Sequence, residues 1–581
     1  MATLPRWDLT PIYPACDSKM FLDDLDKVVE LSHRLEEKLS CPTCDLTATV
    51  HEYELILDYL ENLNAYSTCC LTTDTSNPLY LKAVNQVEEK SLVVQHLQIC
   101  FLNFLKDHEQ EFVLLTQDGG PLAEYGYVLT ELLTQQEHLM EPALEDLASD
   151  LARSGTDAFS RLQEAMSSSI STEWEEGVTK TVIELRNEAF NADRSIRKKA
   201  FEKEISIWKM FEIPFASSLN GVKGATLSLD KKRGYETPLD RSLSQARINR
   251  PILTALLTTI EKNLPVFRGY LKAKANALGL ERCAFYDLFA PVGKGASSYT
   301  YEEAKAFIIK QFSQFSPELG SFANQAFENN WVDPEPRKGK VGGAYDTSFP
   351  LAKQSRILSN FDYSFNGVST LAHELGHAYH DSVVLPKSNL LRTYPMTLAE
   401  TASIFSEYIV FQGAVSNCSK EVRRTLVEHF LQDATQVCVD ILSRFYFEEA
   451  VFAQRAEGDL TPEQYSELML EAQKKTYGDA LDVYHPYMWA VKGHYYSSDF
   501  SFYNYPYAFG QLFALGLYAQ REKDPDSFSD KYRSLLEKTG SASAHSVAAT
   551  MGCDVESEAF WQQGMDLIAS YAKEFSDDCQ N

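Results

Sequence analysis

Apolar residues recur at helical spacing along most of the chain, beginning near its start. Phe21, Leu25 and Val28 begin one stripe of apolar residues, and the stripe continues at Leu35 after a polar gap. Spacings of three and four residues put such side chains on one face of an amphipathic helix. The pattern therefore predicts a helix over residues 21–39.

The same periodicity predicts helices throughout the rest of the chain. Pro251 suits the first turn of one helix and Pro265 lies near its predicted end, with Leu256 and Ile260 on its apolar face. Comparable patterns occupy residues 48–68, 79–107, 421–454 and 510–520. No internal repeat interrupts this order, so the fold is predicted to be mainly α.

Two regions depart from the helical pattern. Residues 167–180 are rich in Ser and Thr and contain Gly177, which indicates a strand or loop between lobes. Residues 338–363 hold three glycines and two runs of β-forming residues, and they directly precede a segment rich in histidine. A small antiparallel β-sheet is predicted there, directly before the histidine-rich segment at residues 370–380.

Length and composition exclude several classes of protein. A chain of 581 residues is expected to form two or more lobes, and 44% hydrophobic with 23% charged residues is typical of a globular protein. The net charge of −28 would repel phosphates, so no nucleic-acid partner is expected. No stretch reaches eighteen uninterrupted apolar residues, so no membrane span is expected either.

The cysteines and the N-terminus favour a cytoplasmic protein. The first residues lack the basic start and apolar core of a signal peptide. Eleven cysteines are scattered without a regular framework, which favours reduced thiols. Cys41 and Cys44 form one CxxC pair, but no second pair follows at zinc-ribbon spacing. A surface turn between helices is therefore favoured there over a redox or structural-zinc role.

The segment TLAHELGHAYH, residues 370–380, carries the chemistry that distinguishes this sequence. His373 and His377 are four residues apart and project from one helix face, so both imidazoles can bind a single metal ion. Glu374 follows the first imidazole, within reach of a water on that ion. The alternative is an ordinary, partly buried helix that happens to carry histidines.

A third ligand is needed, because catalytic zinc usually takes three protein ligands and keeps a position for water. The metzincin pattern requires a glycine and a third histidine where this chain has His380 and Val383, which excludes that class. Glu400 lies in a helical pattern twenty-three residues after His377. Two imidazoles and a carboxylate favour zinc over manganese or cobalt. The predicted metal ligands are His373, His377 and Glu400, and the predicted general base is Glu374.

Two neighbouring residues leave alternatives open. His380 continues the histidine spacing, but a fourth protein ligand would close the site to water, so it is interpreted as a hydrogen-bonded histidine near the helix end. Glu407 lies two turns beyond Glu400 on the same helix face. It is predicted either to hydrogen-bond a ligating imidazole or to form a plain ion pair.

Further segments carry a resemblance to a known family. Besides HELGHAYH and LAETAS they are WDLTPIY at 7–13, LNGVKGATLSLDKKRGYE at 219–236, YDLFAPV at 286–292, GKVGGAY at 339–345 and GHYYSSDFSFYNYPYAFG at 493–510. On these segments, which span nearly the whole chain, the sequence resembles the oligoendopeptidase F branch of the thimet-oligopeptidase-like zinc peptidases.

The resemblance implies more than the motif alone does. It implies one zinc ion per chain on the three ligands above, with Glu374 as base, and a transition-state histidine and tyrosine from the C-terminal segment. His494 is predicted for the first role and Tyr505 for the second, with Tyr503 and Tyr507 as rivals. Aromatic packing is the alternative interpretation of each tyrosine.

The implied architecture is that of a gluzincin-type zinc peptidase. Two helical lobes enclose a deep active-site cavity, and we expect an N-terminal helical lobe over 1–185 and a catalytic domain over 186–581. Folded proteins would be excluded from such a cavity and short peptides admitted. The glycine-rich strand at 339–345 is expected to pair with an extended substrate through backbone hydrogen bonds.

These inferences predict a cytoplasmic zinc oligoendopeptidase acting on internal bonds of short peptides. Water near zinc has its pKa lowered toward about 7, and Glu374 would take its proton and pass it to the leaving nitrogen. A zinc carboxypeptidase on a similar helical scaffold is the alternative within the hydrolases. A catalytically silent peptide-binding protein is the third possibility, although binding alone needs no base at Glu374.

Overall fold

The computed structural model describes residues 4–41, 44–293, 298–521 and 523–580, and it is mainly α-helical, as predicted. The helices up to the middle of the chain are α1 (Lys19–Leu39), α2 (Leu46–Thr73), α3 (Pro78–Asp107), α4 (Glu109–Leu115), α5 (Gly126–Glu137), α6 (Pro142–Ser154), α7 (Thr156–Ser169), α8 (Val182–Asn187), α9 (Arg194–Met210), α10 (Glu212–Lys232), α11 (Pro238–Gln245) and α12 (Arg250–Ala277). The later helices are α13 (Tyr301–Phe315), α14 (Pro317–Glu328), α15 (Phe365–Val384), α16 (Asn389–Arg392), α17 (Met396–Val415), α18 (Lys420–Thr435), α19 (Ile441–Arg455), α20 (Pro462–Tyr477), α21 (Met488–Val491), α22 (Tyr505–Arg521), α23 (Phe528–Leu536), α24 (Ala544–Ala549) and α25 (Glu558–Gln580).

The strands are short and form three small sheets. They are β1 (Ser171–Glu175), β2 (Val178–Thr181), β3 (Cys283–Ala284), β4 (Val332–Asp333), β5 (Tyr345–Phe349), β6 (Gln354–Leu358) and β7 (Leu481–Val483). β1 and β2 make an antiparallel hairpin where a strand or loop was predicted, and β3 pairs with β7 in parallel.

Helix α12 continues well beyond the proline that was predicted to lie near its end. An interior proline removes a backbone hydrogen bond and costs roughly 3 kcal/mol. Beyond Pro265, however, Phe267, Tyr270 and Leu271 are each only 1% exposed. Burying each such side chain contributes about 1.5–3 kcal/mol, so tertiary packing carries the helix past the proline.

The predicted helix over 421–454 is present but not uniform. A π-helical turn over Gln436–Asp440 separates α18 from α19.

Between α1 and α2, the turn predicted around Cys41 and Cys44 falls partly on residues 42 and 43, which lie outside the described residues. The cysteines of the described part of the chain are not joined by disulfides, and their reduced state in the cell stays a prediction.

The sheet that precedes α15 is mixed rather than purely antiparallel. β5 and β6 pair antiparallel, as predicted, with Thr347 opposite Arg356, but β4 adds to β6 in parallel. The strand order is β4-β6-β5, so β5 lies at an edge. The glycines at 339–343 lie in the loop before β5 and not in a strand, since Gly339 and Gly343 have φ of +90° and +80°, which a strand does not use.

Packing divides the chain into two compact units, each built from three segments. Unit 1 contains Met1–Glu137, Ala296–Ser416 and Gln520–Cys553, and unit 2 contains His138–Gly295, Asn417–Ala519 and Asp554–Asn581. The boundary expected between residues 185 and 186 lies within the second unit's first segment, and the division into lobes at that point stays a prediction. Among the described residues, no helix combines the length and apolarity that crossing a bilayer requires.

Unit 1 contains the histidine helix, α15. Helices α1, α2 and α3 pack on one another, and α15 packs on α17 and on strands β5 and β6. The Oγ atom of Ser364 caps α15 by accepting a hydrogen bond from the backbone N–H of Gly367 at 3.2 Å. Leu371, Leu375 and Val368 are fully buried, so the apolar face of α15 fixes its rotation and the direction of the histidines.

Candidate metal centre

Helices α15 and α17 bring together the three predicted metal ligands. The rings of His373 and His377 have centroids 4.9 Å apart and are inclined at 79°. The Oε2 atom of Glu400 lies 3.3 Å from Nε2 of each imidazole. One donor atom from each residue falls within 4.8 Å of the other two.

A glycine in the motif permits the close approach of the two helices. A Cβ atom at Gly376 would lie 2.5 Å from the carbonyl oxygen of Ala402 and 2.6 Å from Cα of Ser403. Both distances are shorter than van der Waals contact, so no other side chain fits at this position. Gly376 thereby lets α17 lie near enough for Glu400 to reach both imidazoles.

The donor set fits a zinc ion. Donor atoms at the corners of a tetrahedron with bonds of about 2.0–2.1 Å are separated by roughly 3.3–3.4 Å. Both distances from Nε2 to Oε2 match that separation. Two imidazoles and one carboxylate also form a set that zinc prefers and that leaves a position for water.

Hydroxyl and carboxylate groups hold the donors in place. Ser403 donates a hydrogen bond to Oε2 of Glu400 at 2.6 Å. Oε2 of Glu407 lies 3.4 Å from Nδ1 of His373, and Ser369 donates to Oε1 of Glu407 at 2.9 Å. Of the two alternatives left open for Glu407, the structure places its carboxylate against a candidate ligand, where it can fix the orientation of the imidazole.

The electrostatics of the cluster favour positive charge between its members. Burial raises the pKa of Glu400, but hydrogen bonds with His373 and His377 outweigh it and hold the pKa well below its usual range. Burial likewise lowers the pKa of His373, yet hydrogen bonds with Glu400 and Glu407 raise it well above its ordinary value. Two carboxylates facing two imidazoles therefore attract a cation.

Glu374 lies in a different environment from the ligands. It is 6% exposed, and burial raises the pKa of its carboxyl group despite the opposing field of His373 and His377. Asp346 of β5, half-buried, interacts electrostatically with Glu374 and pairs with the half-buried Asp381 of α15, and removal from water raises the pKa of both carboxyl groups. Tyr394 donates to Oδ1 of Asp381 at 2.7 Å.

The residues that support the cluster carry no recognisable pattern in the sequence. Ser369 and Ser403 gave no pattern of their own, although each lies within one turn of a predicted residue. Asp346 and Asp381 are 35 positions apart in the sequence, and a carboxyl pair formed across that distance has no local signal. Gly376 belongs to the histidine motif, but its packing role depends on the neighbouring helix.

His380 is hydrogen-bonded near the end of α15, as predicted, and it also lies in the core. It is fully buried, its Nε2 lies 2.8 Å from Oγ1 of Thr539, and its ring stacks on Tyr394 with centroids 4.2 Å apart. Burial lowers the pKa of His380 to about 3. Its imidazole is therefore neutral at physiological pH, and its hydrogen bond is with Thr539 and not with the metal-binding residues.

The predicted transition-state residues belong to unit 2, where they can be described among themselves. The ring centroid of His494 lies 4.9 Å from that of Tyr503 and 6.0 Å from that of Tyr507, and all three side chains are half-buried. Burial, with Arg444 and Lys492 nearby, lowers the pKa of His494 to about 4. This imidazole is neutral at pH 7, so it can donate or accept a hydrogen bond without carrying charge.

Tyr505 is placed differently from its two rivals. Its side chain is fully buried, and its hydroxyl donates to the backbone oxygen of Ser242 at 3.2 Å while the Ser242 hydroxyl also lies 3.2 Å away. Burial raises the pKa of the Tyr505 hydroxyl. Hydrogen bonds to Ser242 hold the Tyr505 hydroxyl in the core, whereas Tyr503 and Tyr507 lie beside His494. This arrangement favours Tyr503 and Tyr507 over Tyr505 as hydrogen-bond donors to a substrate.

A cavity of about 440 Å³ lies beside the edge strand of unit 1. Its walls come from α2, with Glu61, Thr68 and Thr72, and from the strand β5. Asp346 also lines it and interacts electrostatically with Glu374. The cavity therefore adjoins the same strand that packs against the histidine helix.

Comparison with known proteins places the chain in a family. The sequence profile of peptidase family M3 matches residues 189–567, and the profile named Oligopeptidase F matches residues 105–171. The chain is 26% identical over 572 residues to oligopeptidase PepF of Bacillus subtilis, covering 95% of this chain and 84% of that protein. It is 24% identical over 597 residues to the plasmid-encoded oligoendopeptidase F of Lactococcus lactis subsp. cremoris, covering 98% and 96%.

A solved structure shares the fold. The crystal structure of oligoendopeptidase-F from Enterococcus faecium superimposes with a TM-score of 0.70 at 18% identity, covering 95% of this chain and 98% of that one. The resemblance to the oligoendopeptidase F branch is thus confirmed over nearly the whole length. Because the M3 profile spans more than half of the chain, including both helices that carry the donor cluster, the chain belongs to peptidase family M3 and is a metallopeptidase.

Proposed function

We propose that this metallopeptidase is a zinc-dependent oligoendopeptidase that hydrolyses internal bonds of short peptides. The observation that carries the proposal is the convergence of His373, His377 and Glu400 from two helices, with the buried Glu374 on the same helix as the imidazoles. A peptide-binding protein would need neither the base nor the matched donor spacing. We also propose that the enzyme acts in the cytoplasm.

Glu374 is assigned the proton transfers of the reaction. When bound by the three donors, zinc would lower the pKa of water toward about 7 and polarise the substrate carbonyl. The Glu374 carboxylate would accept a proton from the attacking water and release it to the leaving nitrogen. Burial moves the pKa of its carboxyl group upward, which is the direction that suits a group that must both accept and release a proton.

Hydrogen-bond donors from the C-terminal segment would stabilise the oxyanion. The family resemblance implies a histidine and a tyrosine in this role, and we assign them to His494 and to one of Tyr503 and Tyr507. The depressed pKa of His494 supports a neutral donor, and the aromatic contacts among the three rings support a common position. Losing such a donor typically costs about a hundredfold or more in rate.

The edge strand β5 is the proposed platform for an extended substrate. Its edge position and the cavity beside it leave room for a peptide chain to lie along the strand. Backbone hydrogen bonds to β5 would not depend on substrate side chains, which gives broad sequence tolerance. Methylating single backbone nitrogens of a substrate should then raise KM at some positions, whereas exchanging the side chains there should change KM little.

The central experiment is the digestion of a peptide blocked at both ends, with fragments identified by mass spectrometry and zinc content measured in parallel. The wild-type chain should cut internal bonds, and a chelator should abolish the cleavage. Glu374→Gln should keep zinc and lose at least about a hundredfold in kcat, while His377→Ala should lose both zinc and activity. His429→Ala, which alters a half-exposed histidine beside Asp433, is the matched control that keeps both.

Each alternative has its own outcome. Cleavage restricted to peptides with a free carboxyl terminus would identify a carboxypeptidase. Zinc-loaded protein that binds peptides but leaves all of them intact would identify a silent binding protein. Normal turnover by Glu374→Gln would refute the assigned base.

A further inference from the structure

A second group of metal-ligating side chains lies in unit 1, on the outer faces of α1 and α3. Nε2 of His96 lies 3.3 Å from Oε1 of Glu36 and 3.6 Å from Sγ of Cys100. One donor atom from each of these residues lies within 4.8 Å of the other two. His33 approaches from the other side, with Nδ1 3.6 Å from Oε2 of Glu36. We call these four residues the α1–α3 cluster.

The arrangement follows from the sequence and from the packing of the two helices. His96 and Cys100 are four residues apart in α3, and His33 and Glu36 are three apart in α1, so each pair projects from one helix face. Beneath the cluster, Leu35, Leu97 and Phe101 are buried, and they fix the register of α1 against α3. The donors are thus held by the core of unit 1 and not by a loop.

The two donor spacings measured from His96 match those of a tetrahedral zinc site. With bonds of about 2.0–2.1 Å to nitrogen or oxygen and about 2.3 Å to sulfur, nitrogen and oxygen donors lie roughly 3.3 Å apart, and nitrogen and sulfur donors roughly 3.6 Å apart. Those are the separations of His96 from Glu36 and from Cys100. A metal could therefore bind with small side-chain movements.

The chemistry of the cluster selects the kind of metal. A thiol with two imidazoles suits zinc, cobalt and similar transition metals, whereas magnesium and calcium prefer sites made of oxygen atoms. The side chains of His96 and His33 are 57% and 61% exposed, which gives an ion access from solvent. Ion pairing of Glu36 with the two histidines accounts for the position of its carboxylate, but it does not account for the Cys100 thiol beside His96.

We propose that the α1–α3 cluster is a second metal site, which takes a divalent transition metal of the zinc class and joins α1 to α3. Glu36, His96 and Cys100 supply three ligands, and His33 supplies the fourth by rotating its exposed ring. Only the thiolate of cysteine binds metal, so the Cys100 thiol releases one proton to solvent for each ion bound. Four protein ligands close the site to water, which makes its role structural.

Cobalt substitution of the full-length chain tests the proposal separately from the candidate catalytic centre. The donors of that centre are nitrogen and oxygen, so a charge-transfer band from thiolate to cobalt can arise from the α1–α3 cluster and not from His373, His377 and Glu400. The wild type titrated with Co²⁺ should show this band together with two ions per chain. The double variant His373→Ala/His377→Ala should keep the band and bind one ion.

Variants of the cluster make the assignment specific. Cys100→Ser should lose the charge-transfer band, and His96→Ala should lose both the band and one equivalent of metal. Cys418→Ser, at another half-buried cysteine, is the matched control and should keep both. Zinc should raise the thermal midpoint of the His373→Ala/His377→Ala variant but not that of the same variant carrying Cys100→Ser. A wild type with no thiolate band, or a band that survives Cys100→Ser, would overturn the proposal.

Discussion

Replacing Gly376 by alanine tests how the packing of α15 against α17 places Glu400. The added methyl carbon would lie 2.5 Å from the carbonyl oxygen of Ala402, 2.6 Å from Cα of Ser403 and 2.8 Å from Oγ of Ser406, where ordinary contacts begin near 3.4 Å. Two of these neighbours are backbone atoms, which cannot rotate away. Helix α17 must therefore retreat.

The size of the effect follows from these distances. Relief of the overlap requires a shift of about 1 Å, and overpacking of this kind costs roughly 1–3 kcal/mol of folding free energy. The same shift moves Glu400 from its 3.3 Å separation to the imidazoles toward 4 Å or more, beyond the roughly 3.3–3.4 Å that a tetrahedral zinc site uses. A displacement of 1 Å at a reaction centre costs about a hundredfold in rate.

The assay combines metal affinity, activity and stability. Competition with a chromophoric chelator should show zinc bound at least about tenfold more weakly by Gly376→Ala, and kcat/KM on a blocked peptide should fall about a hundredfold. The thermal midpoint of the metal-free protein should fall as well, since the overlap does not depend on the ion.

Gly269→Ala is the matched control, because that exposed glycine of α12 has no heavy atom within 4 Å of an added Cβ. It should leave metal binding unchanged and gain up to about 1 kcal/mol in stability. Wild-type zinc affinity and activity in Gly376→Ala would refute the view that helix spacing sets the ligand geometry.

Three further predictions follow from individual side chains. Glu407→Gln should weaken zinc binding about 10–100-fold with the chain still folded, measured by chelator competition, and unchanged affinity would assign Glu407 to a plain ion pair. Burial lowers the pKa of His380 to about 3 in the folded chain. As pH falls below about 6.5, His380 therefore binds a proton in the unfolded chain but not in the folded chain. Stability should therefore drop from pH 7 to 5, by roughly 2 kcal/mol for this group, and urea unfolding of His380→Gln should show a drop smaller by that amount. Tyr503→Phe or Tyr507→Phe should lower kcat about a hundredfold. Tyr505→Phe should lower the thermal midpoint and leave kcat within a few fold of the wild type. A hundredfold loss of kcat in Tyr505→Phe would instead support Tyr505 as the donor, as the sequence predicted.

Local periodicity predicted the helices well and their ends less well. The stripe beginning at Phe21 became α1, and the pattern before the histidines became the β5–β6 pair, because in both cases the signal lies in neighbouring residues. Pro265 was expected near a helix end, yet α12 runs on to Ala277. The burial that outweighs the cost of that proline comes from contacts with other helices, which the local pattern does not contain.

The same distinction applies to the tyrosines. Three of them at alternate positions, 503, 505 and 507, gave the sequence no means of choosing among their hydroxyls. The turn into α22 directs Tyr505 to Ser242 and leaves the other two beside His494. A choice among neighbours of one residue type depends on the direction of each side chain, which is a property of the folded chain.

The order of residues alone was enough to predict a mainly helical protein, and it supplied two histidines spaced four residues apart on one helix. That information is local, since a separation of four residues fixes the common direction of two side chains. Tertiary structure decided which distant groups meet them. It brought Glu400 to 3.3 Å from both rings through the contact that Gly376 allows, and it paired Asp346 with Asp381 and grouped Glu36 with His96 and Cys100. These meetings depend on how helices pack across long separations in sequence, because burial of apolar faces sets the distance and register between elements.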